Sequence, residues 1–161
     1  MRGFTPKPRP RRPLAWTIRD GGALVALVGD FDERSDFEAV AREVGGSKIS
    51  IDLGGVGRIN SIGVSYWVRF VEAITRPRGR TVALCSVPGT FAAAAALVPA
   101  MRGGVSVESL QMAYRCDACN REEEALVRSA AEVSLGRRCA NCGAAMDRNM
   151  DGGVALAVLG A

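Results

Sequence analysis

The chain has no histidine and no long apolar run among its 161 residues. Without imidazole it lacks the side chain that most often serves as a general base beside a nucleophilic serine or cysteine. No segment reaches the roughly 20 apolar residues that a membrane-spanning helix needs, and the amino terminus lacks the apolar core of a secretory signal. We therefore expect a cytoplasmic protein that is not an enzyme and does not enter a membrane.

The first thirteen residues lack acidic side chains. Five of the 21 basic residues lie in this stretch, which leaves 16 basic against 17 acidic residues in the rest of the chain. The net charge of +4 therefore belongs to the tail, and the body is nearly neutral. We predict that residues 1–13 form a disordered, solubilising tail, and we expect a protein partner rather than nucleic acid.

Beyond the tail, apolar residues follow strand and helix periods in turn. The runs 14–19 and 23–29 flank an Asp-Gly-Gly sequence and predict a hairpin whose second strand is fully buried. The first predicted helix begins with a capping box, in which Ser35 is followed three residues later by Glu38. Its apolar residues recur at helical spacing until two glycines end it.

Three strands and two helices then alternate. The strands are predicted at 48–53, 80–86 and 105–110. A glycine-rich turn leads from the first of these strands to Asn60 and Ser61, where the second helix begins, and the third helix covers 91–98. Trp67 and Phe70 are expected in the core. The order ββαβαβαβ predicts an α/β fold with a mostly parallel sheet that is opened by one antiparallel hairpin.

Three stretches carry a resemblance to a known family: VGDFD at 28–32, ISIDLGGVGRINSIG at 49–63 and GRTVALCS at 79–86. They resemble the G-x-[LI]-D turn, the D-S-x-G switch motif and the next strand of the STAS family, the fold of bacterial anti-sigma-factor antagonists. The resemblance covers residues 14–112. It implies phosphorylation, by a partner kinase that is also an anti-sigma factor, of the serine that Ser61 matches. Asn60 stands where that family usually has Asp, and Ile62 where it often has Ser or Thr.

The resemblance also implies a docking surface, made of the turn, the exposed face of the helix after it and the loop after the second strand. Its predicted residues are Asp30, Asp32, Asn60, Ser61, Ser65, Arg69 and Glu72. From the residues alone, Ser61 or Asn60 could simply cap the helix. Two other functions stay open: a constitutive scaffold without a phosphoswitch, and a transcription-machinery or nucleic-acid adaptor.

Residues 113–150 depart from the family and contain two CxxC pairs separated by 19 residues. The pairs are Cys116 with Cys119 and Cys139 with Cys142. This spacing predicts a structural, zinc-ribbon-like Zn²⁺ site with four thiolate ligands. A redox pair and a disulfide clip are less favoured, because the two pairs are symmetric and the expected compartment is reducing. Cys85 reads as an inert thiol, and residues 151–161 as a C-terminal segment.

Overall fold

A five-stranded sheet organises the amino-terminal two thirds of the chain. The computed structural model describes residues 10–134, 136–148 and 152–159. The five strands are β1 (Ala15–Arg19), β2 (Leu24–Phe31), β3 (Lys48–Ile59), β4 (Thr81–Cys85) and β5 (Val105–Val107). They lie side by side in this order, with β1 antiparallel to β2 and every other pair parallel. The predicted α/β class, with a mostly parallel sheet opened by a hairpin, is confirmed.

Each parallel connection in this sheet passes through a helix. The three helices are α1 (Phe37–Glu43), α2 (Ser61–Thr75) and α3 (Gly89–Leu97). A 3-10 turn, Pro99–Arg102, follows α3 before the chain enters β5. The element order is therefore ββαβαβαβ, as the apolar periodicity predicts.

A second, antiparallel sheet follows and contains the cysteine pairs. Its strands are β6 (Leu110–Arg115), β7 (Glu122–Val127), β8 (Arg137–Arg138) and β9 (Ala145–Arg148), arranged in the order β7-β6-β9-β8. Helix α4 (Ala130–Ser134) lies between β7 and β8, and α5 (Gly152–Leu159) follows β9. The predicted boundary between residues 112 and 113 falls inside β6, a strand of the second sheet.

The main core is built around the indole of Trp67, which is fully buried. Phe31 stacks on it at 5.4 Å between ring centroids, and Phe91 meets its edge at 5.2 Å. The indole nitrogen also donates a hydrogen bond of 2.9 Å to the carbonyl of Met101, so its one polar atom is satisfied. Phe70 is buried beside it, and both aromatic core predictions are confirmed.

Two strand predictions are wrong. Strand β2 is not fully buried, because Leu24 and Val28 are each 44% exposed while the alternate residues Val25 and Leu27 face the core. The predicted glycine-rich turn after residue 53 is strand, since β3 continues to Ile59 and stays paired with β2 through two register shifts. The glycines in this part of β3 have no side chains, so the β3 backbone can approach β2 at the register shifts. A larger residue, for example at Gly55, would collide with β2.

Three further boundaries differ from the prediction. Asp36, not Ser35, caps α1 by accepting a hydrogen bond from the Ala39 N–H, so the capping box is wrong. The predicted strand 105–110 is divided between β5 and β6. The following lie outside the described residues: 1–9 of the predicted tail, 135, 149 and 150 of the predicted four-cysteine module, and 151, 160 and 161 of the predicted C-terminal segment. Within the predicted tail, the Arg12 carbonyl accepts a hydrogen bond from the Asp30 N–H, and the Arg12 N–H donates to the Asp30 carboxylate.

Gly63 gives a direct test of the packing between α2 and β2. A Cβ at this position would overlap the backbone carbonyl of Phe31. Alanine is favoured over glycine in a helix by about 1 kcal/mol, yet we expect Gly63→Ala to lower the free energy of unfolding by about 1–3 kcal/mol, the usual cost of overpacking. Urea denaturation followed by tryptophan fluorescence measures the change. Ser65→Ala, at an exposed position of the same helix, should stay within about 0.5 kcal/mol of wild type, and a stable Gly63→Ala variant would contradict the tight contact.

Candidate functional site

The carboxyl ends of β2 and β3 bring two predicted segments together. Phe31 pairs with Ile59 at the end of the parallel ladder, and the Asn60 N–H donates to the Phe31 carbonyl at 3.0 Å. Helix α2 begins with the next residue, Ser61. The loop at 30–32 and the turn at 60–61 therefore lie at one edge of the sheet, beside a cavity of about 400 Å³ that Arg11, Asp32 and Asn60 help to line.

Asn60 uses both ends of its amide. Its Oδ1 accepts a hydrogen bond of 2.8 Å from the Gly63 N–H and so caps α2. Its Nδ2 donates to a carboxylate oxygen of Glu33 at 3.0 Å. The other oxygen of Glu33 lies 3.2 Å from the Arg11 guanidinium. The backbone N–H of Glu33 and the Asn60 amide hold the pKa of this carboxyl below its usual value. Neither Glu33 nor Arg11 is picked out by a sequence motif, because their roles depend on contacts across the fold.

Ser61 is exposed as the first residue of α2, and its hydroxyl makes no hydrogen bond to the part of the chain that is described. Its carbonyl accepts a hydrogen bond of 3.1 Å from the Ser65 hydroxyl. Ser65 and Arg69 follow Ser61 at four-residue intervals and therefore lie on one side of the helix. Both are exposed, as is Glu72 one turn further on.

The two aspartates of the predicted docking surface are buried, each with 5% of its surface exposed. The Asp30 carboxylate accepts hydrogen bonds from the backbone N–H groups of Arg12 and Arg58, at 3.1 and 3.0 Å. Asp32 accepts from the backbone and guanidinium of Arg34, the shortest contact being 2.6 Å. The two carboxylates therefore stabilise the loop through internal hydrogen bonds. Other residues form the exposed part of this edge of the sheet.

The four paired cysteines form one cluster, with all four sulfur atoms within 4.8 Å of one another. The Sγ atoms of Cys116 and Cys142 are 3.4 Å apart, and those of Cys119 and Cys139 are 3.5 Å apart. These separations far exceed the covalent sulfur–sulfur bond of about 2.05 Å, and all four cysteines are free. The cluster can hold a metal ion.

The two CxxC turns have the same backbone geometry. In each, the N–H of the first cysteine donates to the carbonyl five residues later, and its carbonyl accepts from the N–H four residues later. The residue at that fourth position, Asn120 or Gly143, has a left-handed backbone with φ of 58° or 74°. The first cysteine of each pair, Cys116 or Cys139, is buried. Two matching turns thus present four sulfurs to one point.

The surroundings of the cluster lower the pKa of one thiol and raise the pKa of another. The Asn141 side chain, followed by the Arg121 backbone, lowers the pKa of Cys119 to about 6. At Cys142 the Ala144 N–H acts in the same direction, but the neighbouring thiols, Cys116 first, and burial outweigh it and raise the pKa to about 12. Binding of a metal ion at this cluster would require the thiols to lose their protons.

Cys85 lies apart from the cluster, in β4. It is half-buried, with its sulfur 3.2 Å from the Ser50 hydroxyl and 3.3 Å from the Glu108 carboxylate. Burial raises the pKa of this thiol, which favours the neutral and unreactive form.

None of the described helices is long and apolar enough to cross a bilayer.

The fold and the cluster define an α/β protein with a four-cysteine, potential metal-binding site. No protein-family model matches the sequence, and no curated protein matches it.

The contact between Asp32 and Arg34 predicts an acid-sensitive contribution to stability. The Arg34 guanidinium holds the pKa of Asp32 below its ordinary value of 3.8, so folding favours the charged carboxylate. This stabilisation is complete above that ordinary pKa and is lost as the pH falls through the lower pKa of the folded state. We expect Asp32→Asn to lower the free energy of unfolding at neutral pH, and the difference from wild type to shrink at acidic pH.

Urea denaturation over a pH series measures this difference. Asp36→Asn is the matched control, because asparagine caps a helix as well as aspartate does and Asp36 is exposed. A difference between Asp32→Asn and wild type that does not change with pH would contradict a charge effect.

Proposed function

We propose that the chain is a regulatory protein–protein interaction module of the STAS type, an anti-sigma-factor antagonist or a related signalling adaptor, switched by phosphorylation of Ser61. The observation that carries this proposal is the exposed Ser61 hydroxyl, which makes no hydrogen bond to any described residue and lies at the start of α2, next to the capping Asn60. The element order and the sequence stretches that resemble the family support it. The docking surface consists of Asn60, Ser61 and the exposed α2 residues Ser65, Arg69 and Glu72, held in place by the buried Asp30 and Asp32.

The position suits a phosphate switch. A phosphoserine adds about −1.5 to −2 charges, which the partial positive charge at the amino end of the 15-residue helix α2 would stabilise. The same charge would lie near the Asn60–Glu33 contact and would repel that carboxylate. Phosphorylation would therefore alter both the charge and the local contacts of the surface that a partner meets.

We assign Zn²⁺ to the four-cysteine cluster, in a structural role. A tetrahedral zinc ion with four bonds of about 2.3 Å to sulfur requires sulfur–sulfur separations of about 3.8 Å. The observed separations, from 3.4 Å up to at most 4.8 Å, need only small adjustments to reach this value. Four thiolate ligands complete the coordination of the ion and leave no open position for catalysis. A structural role also fits the short neighbouring strand β8, whose two residues provide little other stabilisation.

A constitutive adaptor is the second candidate. It is favoured by the Asn60 side chain, whose oxygen already caps the helix and whose nitrogen already binds Glu33. In that case Ser61 would contribute only to the surface of the first turn, and binding would not depend on phosphate.

The switch is tested by capturing partners from the native cells with tagged wild-type, Ser61→Asp and Ser61→Ala proteins. We expect a kinase-like anti-sigma factor to bind wild type and Ser61→Ala, and to be lost with Ser61→Asp because negative charge blocks docking. Mass spectrometry of wild type should find phosphate on Ser61. Ala73→Asp, at an exposed position of the same helix outside the proposed docking surface, is the control for added charge and should retain the partner. Equal capture by all four proteins would support the constitutive adaptor instead.

The zinc site is tested by metal analysis of purified protein. Wild type should contain one zinc ion per chain, and Cys116→Ser combined with Cys119→Ser should contain none, because half of the ligands are removed. Cys85→Ser is the matched control and should retain one zinc ion. Hydrogen exchange should show that the double variant loses protection in β7 to β9 while β1 to β4 stay protected. Unchanged metal content in the double variant would contradict the assignment.

A further inference from the structure

Glu123 contacts both CxxC turns through one carboxylate. It lies in β7, and only 13% of its side chain is exposed. One oxygen accepts a hydrogen bond of 3.3 Å from the Ala140 N–H, which lies between the two cysteines of the second pair. The same oxygen is 3.2 Å from the guanidinium of Arg121, whose carbonyl accepts from the Cys116 N–H in the first turn. One side chain thereby spans the two halves of the cluster.

The second oxygen of Glu123 extends this contact to β8. It lies 3.2 Å from the Arg137 guanidinium, two residues before Cys139. That guanidinium also lies over the ring of Tyr114 in β6, 5.7 Å from its centroid. The Ala140 N–H, followed by Arg137, holds the pKa of Glu123 below its usual value, so the carboxylate is charged at neutral pH. The Glu123 carboxylate in β7 thus contacts β8 directly and β6 through Arg137.

We propose that Glu123 is a positioning residue that holds the second CxxC turn against the first, so that the four sulfurs stay within range of one metal ion. This inference rests on the zinc assignment above. A zinc ion with four thiolate ligands carries a net negative charge, so a nearby carboxylate cannot favour it by attraction. The contribution of Glu123 must therefore come from geometry: it fixes a backbone N–H of the metal-binding turn, and two arginines neutralise its charge.

A geometric role and a charge role predict opposite results for Glu123→Gln. Glutamine keeps an oxygen that can accept from the Ala140 N–H but removes the charge, whereas Glu123→Ala removes both. If position matters, Glu123→Gln should bind zinc better than Glu123→Ala but no better than wild type. If the charge only opposes the anionic site, Glu123→Gln should bind more tightly than wild type. Glu124→Ala, at the exposed next residue, is the matched control.

The experiment is a competition titration of the full-length chain with Zn²⁺ and a chromophoric chelator, together with Co²⁺ absorption spectra. We expect Glu123→Ala to bind zinc 10- to 100-fold more weakly, as is typical for residues that orient metal ligands, and Glu124→Ala to match wild type. Because the visible Co²⁺ bands report ligand geometry, they should change for Glu123→Ala and not for Glu124→Ala. Circular dichroism checks that each variant is folded.

The outcomes separate this inference from the zinc assignment. If wild type binds no zinc, both are overturned. If wild type binds one zinc ion and Glu123→Ala matches Glu124→Ala in affinity and spectrum, only the positioning role is overturned. A Glu123→Gln protein that is folded and binds more tightly than wild type would also overturn it.

Discussion

The close contact between the first turn of α2 and the end of β2 determines how the sheet edge is built. Gly63 has no side chain, so the helix backbone can reach the Phe31 carbonyl, which also accepts the hydrogen bond of the Asn60 N–H. The contact fixes the direction in which α2 leaves the sheet and directs Trp67, one turn further on, into the core. The exposure of Ser61 follows from it, because the opposite side of the same turn is held against β2.

The second sheet shares its core with the first. Leu110 and Met112 in β6 are fully buried in the same hydrophobic cluster as the strands of the parallel sheet. Val87, just after β4, forms a parallel bridge with Leu110. The cysteine cluster therefore begins one residue beyond a strand that is anchored in the main core. A metal ion would stabilise the outer part of this sheet, whose turns have few buried side chains, while the inner part is stabilised by apolar packing.

Patterns in the sequence predicted those features of the fold that depend on residues close together in the chain. The element order, the buried Trp67 and the cysteine pairs follow from apolar periodicity and fixed spacing. Two details failed for different reasons: the glycine-rich segment is strand because it pairs with the distant β2, and the predicted cap failed because of the conformation of its own loop. Ser35 looks like a helix cap, but its hydroxyl bonds to the backbone of Asp30 and Asp32 instead, and the cap passes to its neighbour. The roles of Glu33 and Glu123 arise from partners 27 and 17 residues away, which no motif reveals.

Asn60 and Glu33 act as a matched pair at the proposed docking edge. An aspartate at position 60, as the resemblance would suggest, could accept the hydrogen bond from Gly63 but could not donate one to Glu33. Two facing carboxylates would instead repel each other. Asparagine both caps the helix and binds Glu33, so the negative charge at this turn is provided by Glu33 rather than by residue 60. For a partner that requires an acidic group beside Ser61, the carboxylate of Glu33, bound to the Asn60 side chain, provides that group.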